Sequence, residues 1–248
     1  DKATKRMGPR SFTEGVHARG GAKLYDVYDM HAFTFPMPPD TGGNKAIIQW
    51  LNQETGKYGP AKPIWFLDWG FPMAYGLEKP FHMTFDQSAD YAVRGFMLAA
   101  AHGVQTITYT YFHDQFSATG QQGKGYRYKG YGIFTSTGEL RVQAQAIKLM
   151  THLIPDRPKL LETISDGDNP KPAPALSSDR PYTDSPFYCY KFQGVGDDEV
   201  IVAWTEGRPF KYAIKVKGDK VALYNRELLG GIVYSKENGS ISEAGEIV

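Results

Sequence analysis

An aspartate, Asp68, stands at the end of a short apolar run and is flanked by two tryptophans, Trp65 and Trp69. The run, residues 64–67, is followed within a few residues by a glycine and a proline. Such a run, bounded by breakers, is typical of a parallel strand buried on both faces. In α/β sheets and barrels the C-terminal ends of the strands carry the chemistry. Asp68 is therefore a candidate catalytic carboxylate; the alternative is that it caps the next helix or pairs with a nearby Lys or Arg.

Other side chains with acid–base chemistry follow predicted strands or lie in a long loop. His31 closes an alternating segment and is either a site residue or a structural histidine. His113 and Asp114 follow another strand, where they either polarise a substrate group or anchor the loop. Glu78 and His82 lie in the loop between residues 70 and 84, which is long enough to suggest function. Either can serve as a catalytic acid if that loop folds over the site; otherwise they are solvated loop charges.

The elements that must position these residues alternate between strand and helix. Hydrophobic periodicity predicts strands at 24–31, 64–67 and 104–111. It predicts helices at 44–55, 86–102 and 139–153, so that each strand is followed by a helix. Three successive βα units imply a parallel sheet, whose strand ends meet at one edge.

The second part of the chain has a different character. Residues 155–186 hold seven of the 16 prolines and predict a linker or an extended covering segment. Residues 187–248 contain short apolar stretches separated by Gly, Asp and Asn turns, which predict a small antiparallel β domain.

Composition excludes several classes of function. A formal net charge of +1 argues against a nucleic-acid binder that relies on a basic surface. The single cysteine, Cys189, excludes an internal disulfide framework and a Cys-based zinc site, and its apolar surroundings predict a buried strand residue. No metal or cofactor motif occurs, so neither is expected. No apolar run approaches the ~18 residues of a membrane span, and no signal peptide opens the chain, which leaves the compartment open.

Several of these motifs together resemble one enzyme group. Residues 25–33, Tyr-Asp-Val-Tyr-Asp-Met-His-Ala-Phe, are similar to the sixth barrel strand of clan-A glycoside hydrolases, and residues 63–70 are similar to the seventh. Residues 103–111 and 132–138 resemble the eighth strand and the segment before the last helix. The chain thus resembles the C-terminal half of a family-thirty-nine-type glycoside hydrolase, the β-xylosidase and α-iduronidase group.

The resemblance implies an α/β fold with a half (β/α) barrel of the TIM type in residues 1–154, equivalent to strands six to eight. Residues 155–186 would be the linker, and residues 187–248 an appended β-sandwich. The resemblance also implies a retaining glycosidase that acts on a carbohydrate, with Asp68 at the nucleophile position. Secreted or periplasmic enzymes are common in this group. The substrate contacts expected on this basis are His31, Phe33, Trp69, Tyr111, His113 and Asp114, with Trp69 and Tyr111 as aromatic walls.

Two departures from the family pattern keep alternatives open. The family places an Asn-Glu pair on the fourth strand as its acid/base, and no Asn-Glu dipeptide occurs in this sequence. The family nucleophile is Glu, where this chain has Asp68. Glu78 is the expected substitute acid. The alternatives are a sugar-binding protein without catalysis, and a fragment that is active only with a missing N-terminal half-barrel or as a homodimer. Pairing is expected because half a barrel exposes strand edges and apolar surface.

Overall fold

The computed structural model describes residues 9–34, 37–71, 83–110, 112, 132–135, 137–168, 186–205, 220–224 and 232–235. The chain divides into two compact units. The first comprises Asp1–Met150 and Pro155–Leu160, and the second comprises Thr151–Ile154 and Leu161–Val248.

The first unit contains a parallel sheet of three strands, which confirms the interpretation of three βα units. The order is β1 (Tyr28–Asp29), β2 (Ile64–Trp69) and β3 (Val104–Tyr109), with β2 in the centre. The α/β class predicted from the sequence is therefore confirmed for this unit. Three strands do not establish a half barrel, which stays a prediction.

The first strand is much shorter than the predicted segment 24–31. A 3₁₀ turn, Gly21–Lys23, comes first, and Leu24 is 86% exposed. The ladder with β2 begins where the Tyr28 N–H donates to the Pro63 carbonyl at 2.9 Å. A proline has no N–H to continue a ladder, so the pairing of β1 with β2 has no donor at this position. The alternating pattern therefore predicted more strand than its neighbour can support.

Four α-helices occur in the described part of the chain: α1 (Pro9–Ala18), α2 (Asn44–Gly56), α3 (Phe85–Ala101) and α4 (Val142–Leu153). The last three lie close to the predicted positions. The longest, α3, begins with a capping box in which the Thr84 hydroxyl accepts from the Gln87 N–H and the Gln87 side chain accepts from the Thr84 N–H. It ends before Gly103, whose φ of 86° is a left-handed conformation that favours glycine. None of the helices in this part of the chain is long and apolar enough to cross a membrane.

The core of the first unit consists of side chains from the sheet and from α2 and α3. Its largest fully buried members on the sheet side are Phe66 and Trp69 of β2, together with Phe71 just beyond it. The buried residues of this cluster are Ala32, Ile48, Leu51, Ile64, Phe66, Trp69, Phe71, Met83, Ala99 and Val104. Residues 64, 66 and 69 of β2 are buried, while Leu67 and Asp68 reach solvent. The register with β3 shifts between Phe66 and Trp69, which interrupts strict alternation. The same strand thus anchors the core and presents the candidate carboxylate.

The second unit contains strands β4 (Leu160–Asp168), β5 (Phe187–Gln193) and β6 (Glu199–Thr205) in one sheet, with β5 and β6 antiparallel. Strands β7 (Lys220–Leu223) and β8 (Ile232–Ser235) form an antiparallel pair. The nine residues of β4 lie within 155–186, for which the sequence predicted a linker or an extended covering segment. Because prolines lie on both sides of β4, its sequence does not have the appearance of a strand. It is recognised as a strand only by its place beside β5 in the sheet. A β-sandwich stays a prediction.

Candidate functional site

The C-terminal edge of the parallel sheet brings together four polar side chains. Strand β1 ends at Asp29, and His31 follows two residues later. Strand β2 carries Asp68 one residue before its end, and Thr110 directly follows β3. Because all three strands run in the same direction, their C-terminal ends meet at one edge of the sheet. Asp29, His31, Asp68 and Thr110 together are called the edge cluster.

The Asp68 carboxylate has a partner on each oxygen. Its Oδ1 accepts a short hydrogen bond from the Thr110 hydroxyl. Its Oδ2 lies 3.3 Å from the Nδ1 atom of His31. An ionised carboxylate accepts hydrogen bonds and donates none, so the Thr110 hydroxyl must be the donor. These two contacts restrict the rotation of the carboxylate and leave its Oδ2 facing the imidazole.

Asp29 lies on the other side of the imidazole. Its Oδ2 is 3.8 Å from the His31 Nε2 atom, and its Oδ1 accepts from the Leu67 N–H at 3.1 Å. The backbone ladder between β1 and β2 ends when the Met30 N–H donates to the Trp65 carbonyl at 3.0 Å. The Asp29 side chain therefore continues that ladder beyond the strand, and this fixes the carboxylate beside His31.

The edge cluster is open to solutes. The side chains of His31, Asp29 and Asp68 are 58%, 39% and 37% exposed, so a solute can reach all three. The Phe33 ring stands edge-on to the His31 ring, with centroids 6.4 Å apart and an interplanar angle of 87°. The predicted site residues His31, Phe33 and Asp68 are thus neighbours in space.

Trp69 occupies a different environment from the one expected of it. Its side chain is 1% exposed and packs edge-on against Phe71, Phe96 and Tyr109, with centroids 4.9, 5.1 and 6.2 Å away. A register shift between Phe66 and Trp69 interrupts the alternation of the strand, so Trp69 is buried like Phe66 three residues earlier while Asp68 reaches solvent. The interpretation of Trp69 as an aromatic wall for a sugar does not agree with this placement.

The remaining predicted site residues lie outside the described residues. These are Glu78, Tyr111, His113 and Asp114, together with His82.

Sequence reasoning missed two members of the edge cluster, Asp29 and Thr110. Asp29 lies two positions before His31, and residues two apart at a strand end point to the same side. That spacing was a usable signal. Thr110 carries no comparable signal, because a threonine in a β-branched strand is ordinary until its partner across the sheet is known.

The chemistry available at this edge is that of a carboxylate and an imidazole in contact. A carboxylate can act as nucleophile or base, and histidine can transfer protons near neutral pH. Within the part of the chain that the structure describes, no group of three or more His, Cys, Asp or Glu residues is arranged to hold a metal ion.

Comparisons with known proteins complete the description of this site. No protein-family model matches the chain, and no curated protein matches it. Among solved structures, a family 39 glycoside hydrolase from the gut symbiont Bacteroides cellulosilyticus WH2 is similar over 86% of this chain and 39% of its own, with 16% identity and a TM-score of 0.48.

Two further neighbours are β-glucuronidases. The Bifidobacterium dentium enzyme, solved with coumarin-3-O-glucuronide, matches 54% of this chain and 22% of its own, with 16% identity and a TM-score of 0.41. The Ruminococcus gnavus enzyme matches 51% and 21%, with 16% identity and a TM-score of 0.36.

These neighbours are glycoside hydrolases, and they include the group that the sequence resembles. The chain spans 39% or less of the length of the three. All TM-scores lie below 0.5 and all identities are 16%, so these likenesses assign neither a family nor an activity to this chain.

Proposed function

We propose that this chain is a carbohydrate-processing protein of the retaining glycosidase type, with Asp68 as the nucleophile. The observation that carries the proposal is the contact of an exposed, doubly held carboxylate with an exposed imidazole at the C-terminal edge of a parallel sheet. This edge is where barrel and open-sheet enzymes carry their chemistry.

The proposed reaction has two steps. Asp68 attacks the anomeric carbon to form a glycosyl ester, while the leaving oxygen takes a proton from a catalytic acid. Water activated by the same group then hydrolyses the ester and releases the sugar with its original configuration. Glu78 is the proposed acid, since a retaining mechanism requires a second carboxyl group about 5–5.5 Å from the first.

His31 and Phe33 would complete the first part of the sugar site. His31 lies against the carboxylate at Oδ2 and exposes most of its ring, so it can donate to Asp68 or contact a sugar hydroxyl. Phe33 stands edge-on beside that ring and offers an apolar surface for the sugar. Tyr111, His113 and Asp114 are proposed as further contacts from the segment after β3.

A sugar-binding protein without catalysis is the second candidate. The sequence contains no Asn-Glu dipeptide to supply the family acid/base, and it has Asp68 where the family pattern has Glu. Asp is one methylene shorter than Glu, so it reaches less far towards an anomeric carbon. Aromatic and hydrogen-bonding contacts would bind sugar in either case.

Pairing with another chain is also part of the proposal. Within the described sheet of the first unit, β1 and β3 each pair with β2 alone, so each has an outer edge. Unpaired strand edges favour association. A second copy of this chain, or a missing N-terminal half-barrel, would cover them.

The test is hydrolysis of a panel of aryl glycosides by the parent chain, by Asp68→Asn and by Asp26→Asn. Asp26 is an exposed aspartate near β1, so its variant makes the same change of charge without touching the edge cluster. We expect turnover that falls at least ~10³-fold in Asp68→Asn and is kept in Asp26→Asn, because an amide is not a nucleophile. Turnover by Asp68→Asn at the parent rate would overturn the nucleophile assignment.

If the parent hydrolyses no glycoside, sugar titration of the same sample decides between the two candidates. Binding that weakens in Asp68→Asn and persists in Asp26→Asn would support the binding protein. Absence of both hydrolysis and binding would contradict the carbohydrate proposal for the chain by itself.

A further inference from the structure

We infer that Thr110 is a positioning residue for Asp68, and that it sets which carboxylate oxygen faces the reacting atom. The inference rests on the proposed function, and it concerns a residue that sequence reasoning did not select. It starts from one geometric fact, which is that the Thr110 hydroxyl donates a short hydrogen bond to Oδ1 of Asp68.

The backbone first fixes the position of Thr110. Strand β3 ends at Tyr109, which is paired with Trp69. The pairing nevertheless continues one step further, since the Thr110 N–H donates to the Trp69 carbonyl at 2.6 Å. Trp69, which supplies this carbonyl, is fully buried and packs against Phe71 and Phe96 in the core. The Cα atom of Thr110 therefore has a fixed place beside Asp68.

The side chain then limits the direction of the hydroxyl. Threonine is β-branched, and its χ1 angle is restricted by two heavy atoms on Cβ. Thr110 is also half-buried, which restricts it further. The hydroxyl is thus presented to Oδ1 with few alternatives, whereas a water molecule at the same place would keep its freedom.

The consequence concerns the other oxygen of the carboxylate. With Oδ1 held by Thr110, rotation about the Asp68 side-chain torsion is blocked, and Oδ2 stays 3.3 Å from His31 Nδ1. A nucleophile must be aligned with its target, and a misplacement of ~1 Å can reduce a rate ~10²-fold. Asp68 is only partly shielded from water, so the effect of Thr110 is alignment and not burial of charge.

The experiment compares Thr110→Val, Thr110→Ser and a control, Thr108→Val. Valine keeps the shape of threonine without the hydroxyl, and serine keeps the hydroxyl without the methyl group. Thr108 is an exposed threonine on the same strand, so its variant reports the general effect of the substitution on β3.

On the best aryl glycoside we expect Thr110→Val to lower kcat by ~10- to 100-fold with KM within ~2-fold, because alignment acts on the transition state. Thr110→Ser should keep kcat within ~3-fold of the parent, since a serine hydroxyl makes the same hydrogen bond. A loss in Thr110→Ser with none in Thr110→Val would mean that the methyl group matters and the hydroxyl does not. That result, or an unchanged kcat in Thr110→Val, would overturn the inference.

A second readout needs no enzyme activity, so failure of the proposed function does not decide the inference. Asp68 is labelled at pH 5 with a carbodiimide and an amine, and the product is located by mass spectrometry. A carboxyl oxygen of Asp68 adds to the carbodiimide carbon, and the amine then displaces the urea to leave an amide. In Thr110→Val the Oδ1 atom that the Thr110 hydroxyl engages in the parent becomes available for this addition.

We expect Asp68 to label at least ~3-fold faster in Thr110→Val than in the parent, because the hydrogen bond that holds Oδ1 is lost, with Thr110→Ser and Thr108→Val near the parent rate. If the labelling rates of all four proteins agree, Thr110 does not control the carboxylate, and the inference is wrong. If labelling follows the hydroxyl while no glycoside is hydrolysed, the positioning role stands and the proposed reaction does not.

Discussion

The substitution Gly95→Ala tests whether Trp69 belongs to the core, on which the position of Asp68 depends. Gly95 lies inside α3, where glycine lowers helix stability, so a packing reason for it is expected. A Cβ atom at this position would lie 2.1 Å from Cζ2 and 2.4 Å from Cη2 of the Trp69 ring. The glycine thus lets the helix backbone approach the buried indole directly.

The magnitude follows from two opposing effects. Carbon atoms pack at about 3.5–4.0 Å, so the indole or the helix must move by more than ~1 Å. Overpacking of this kind costs about 1–3 kcal/mol. Replacing glycine by alanine inside a helix returns up to ~1 kcal/mol of unfolding free energy. We therefore expect a net loss of ~1–2 kcal/mol, or a Tm lower by roughly 2–8 °C for a chain of this size.

The assay is urea unfolding followed by circular dichroism, with Gly15→Ala as the matched control. Gly15 lies in α1, and an added Cβ there would meet only the Arg19 Nη1 atom at 3.3 Å, at the end of a flexible side chain. This variant should gain ~0.5–1 kcal/mol from helix propensity alone. The two glycine substitutions are thus expected to have opposite signs.

A double-mutant cycle identifies the cause. Phenylalanine at position 69 lacks the outer ring atoms of the indole that the new Cβ would contact. Gly95→Ala should therefore cost at least ~1 kcal/mol less in a Trp69→Phe background than in the parent. A Gly95→Ala variant as stable as the parent, or the same cost in both backgrounds, would refute the placement of Trp69 against α3.

Two further predictions concern the thiol and the state of association. Burial raises the pKa of the Cys189 thiol from its ordinary value of 9.0 to about 11. Alkylation at pH 8 should therefore be about 100-fold slower in the folded chain than after denaturation, because only the thiolate reacts. Equal alkylation rates in the folded and denatured chain would contradict burial of the thiol. Because the folded thiol keeps its proton to higher pH than the unfolded thiol, its contribution to the free energy of unfolding should be present below pH 9 and fall as the pH rises towards 11. Light scattering of the purified chain should give twice 27.7 kDa if it forms a homodimer, and a monomer with ordinary cooperative unfolding would count against pairing.

Much of the local structure could be predicted from the sequence by itself. Helix α3 has an apolar face, a Thr84 cap with Gln87 three residues later, and Gly103 after its end, so each signal lies within a few residues of the element it defines. The apolar run before Asp68 likewise identified β2 and its exposed carboxylate. Cys189, flanked by aromatic residues, was correctly predicted to be a buried strand residue.

The tertiary structure alone decided which residues surround Asp68. Thr110 is 42 residues away along the chain, and its hydroxyl reaches the carboxylate only because β2 and β3 pair in parallel with a particular register. In the same sheet Trp69 packs into the core against Gly95. The sequence motif had instead indicated that the Trp69 ring forms a surface on which a sugar stacks. Periodicity and capping are local properties of a sequence, whereas the register of a sheet depends on segments that are distant along the chain. For this reason the sequence predicted the carboxylate, and the tertiary structure determined its partners.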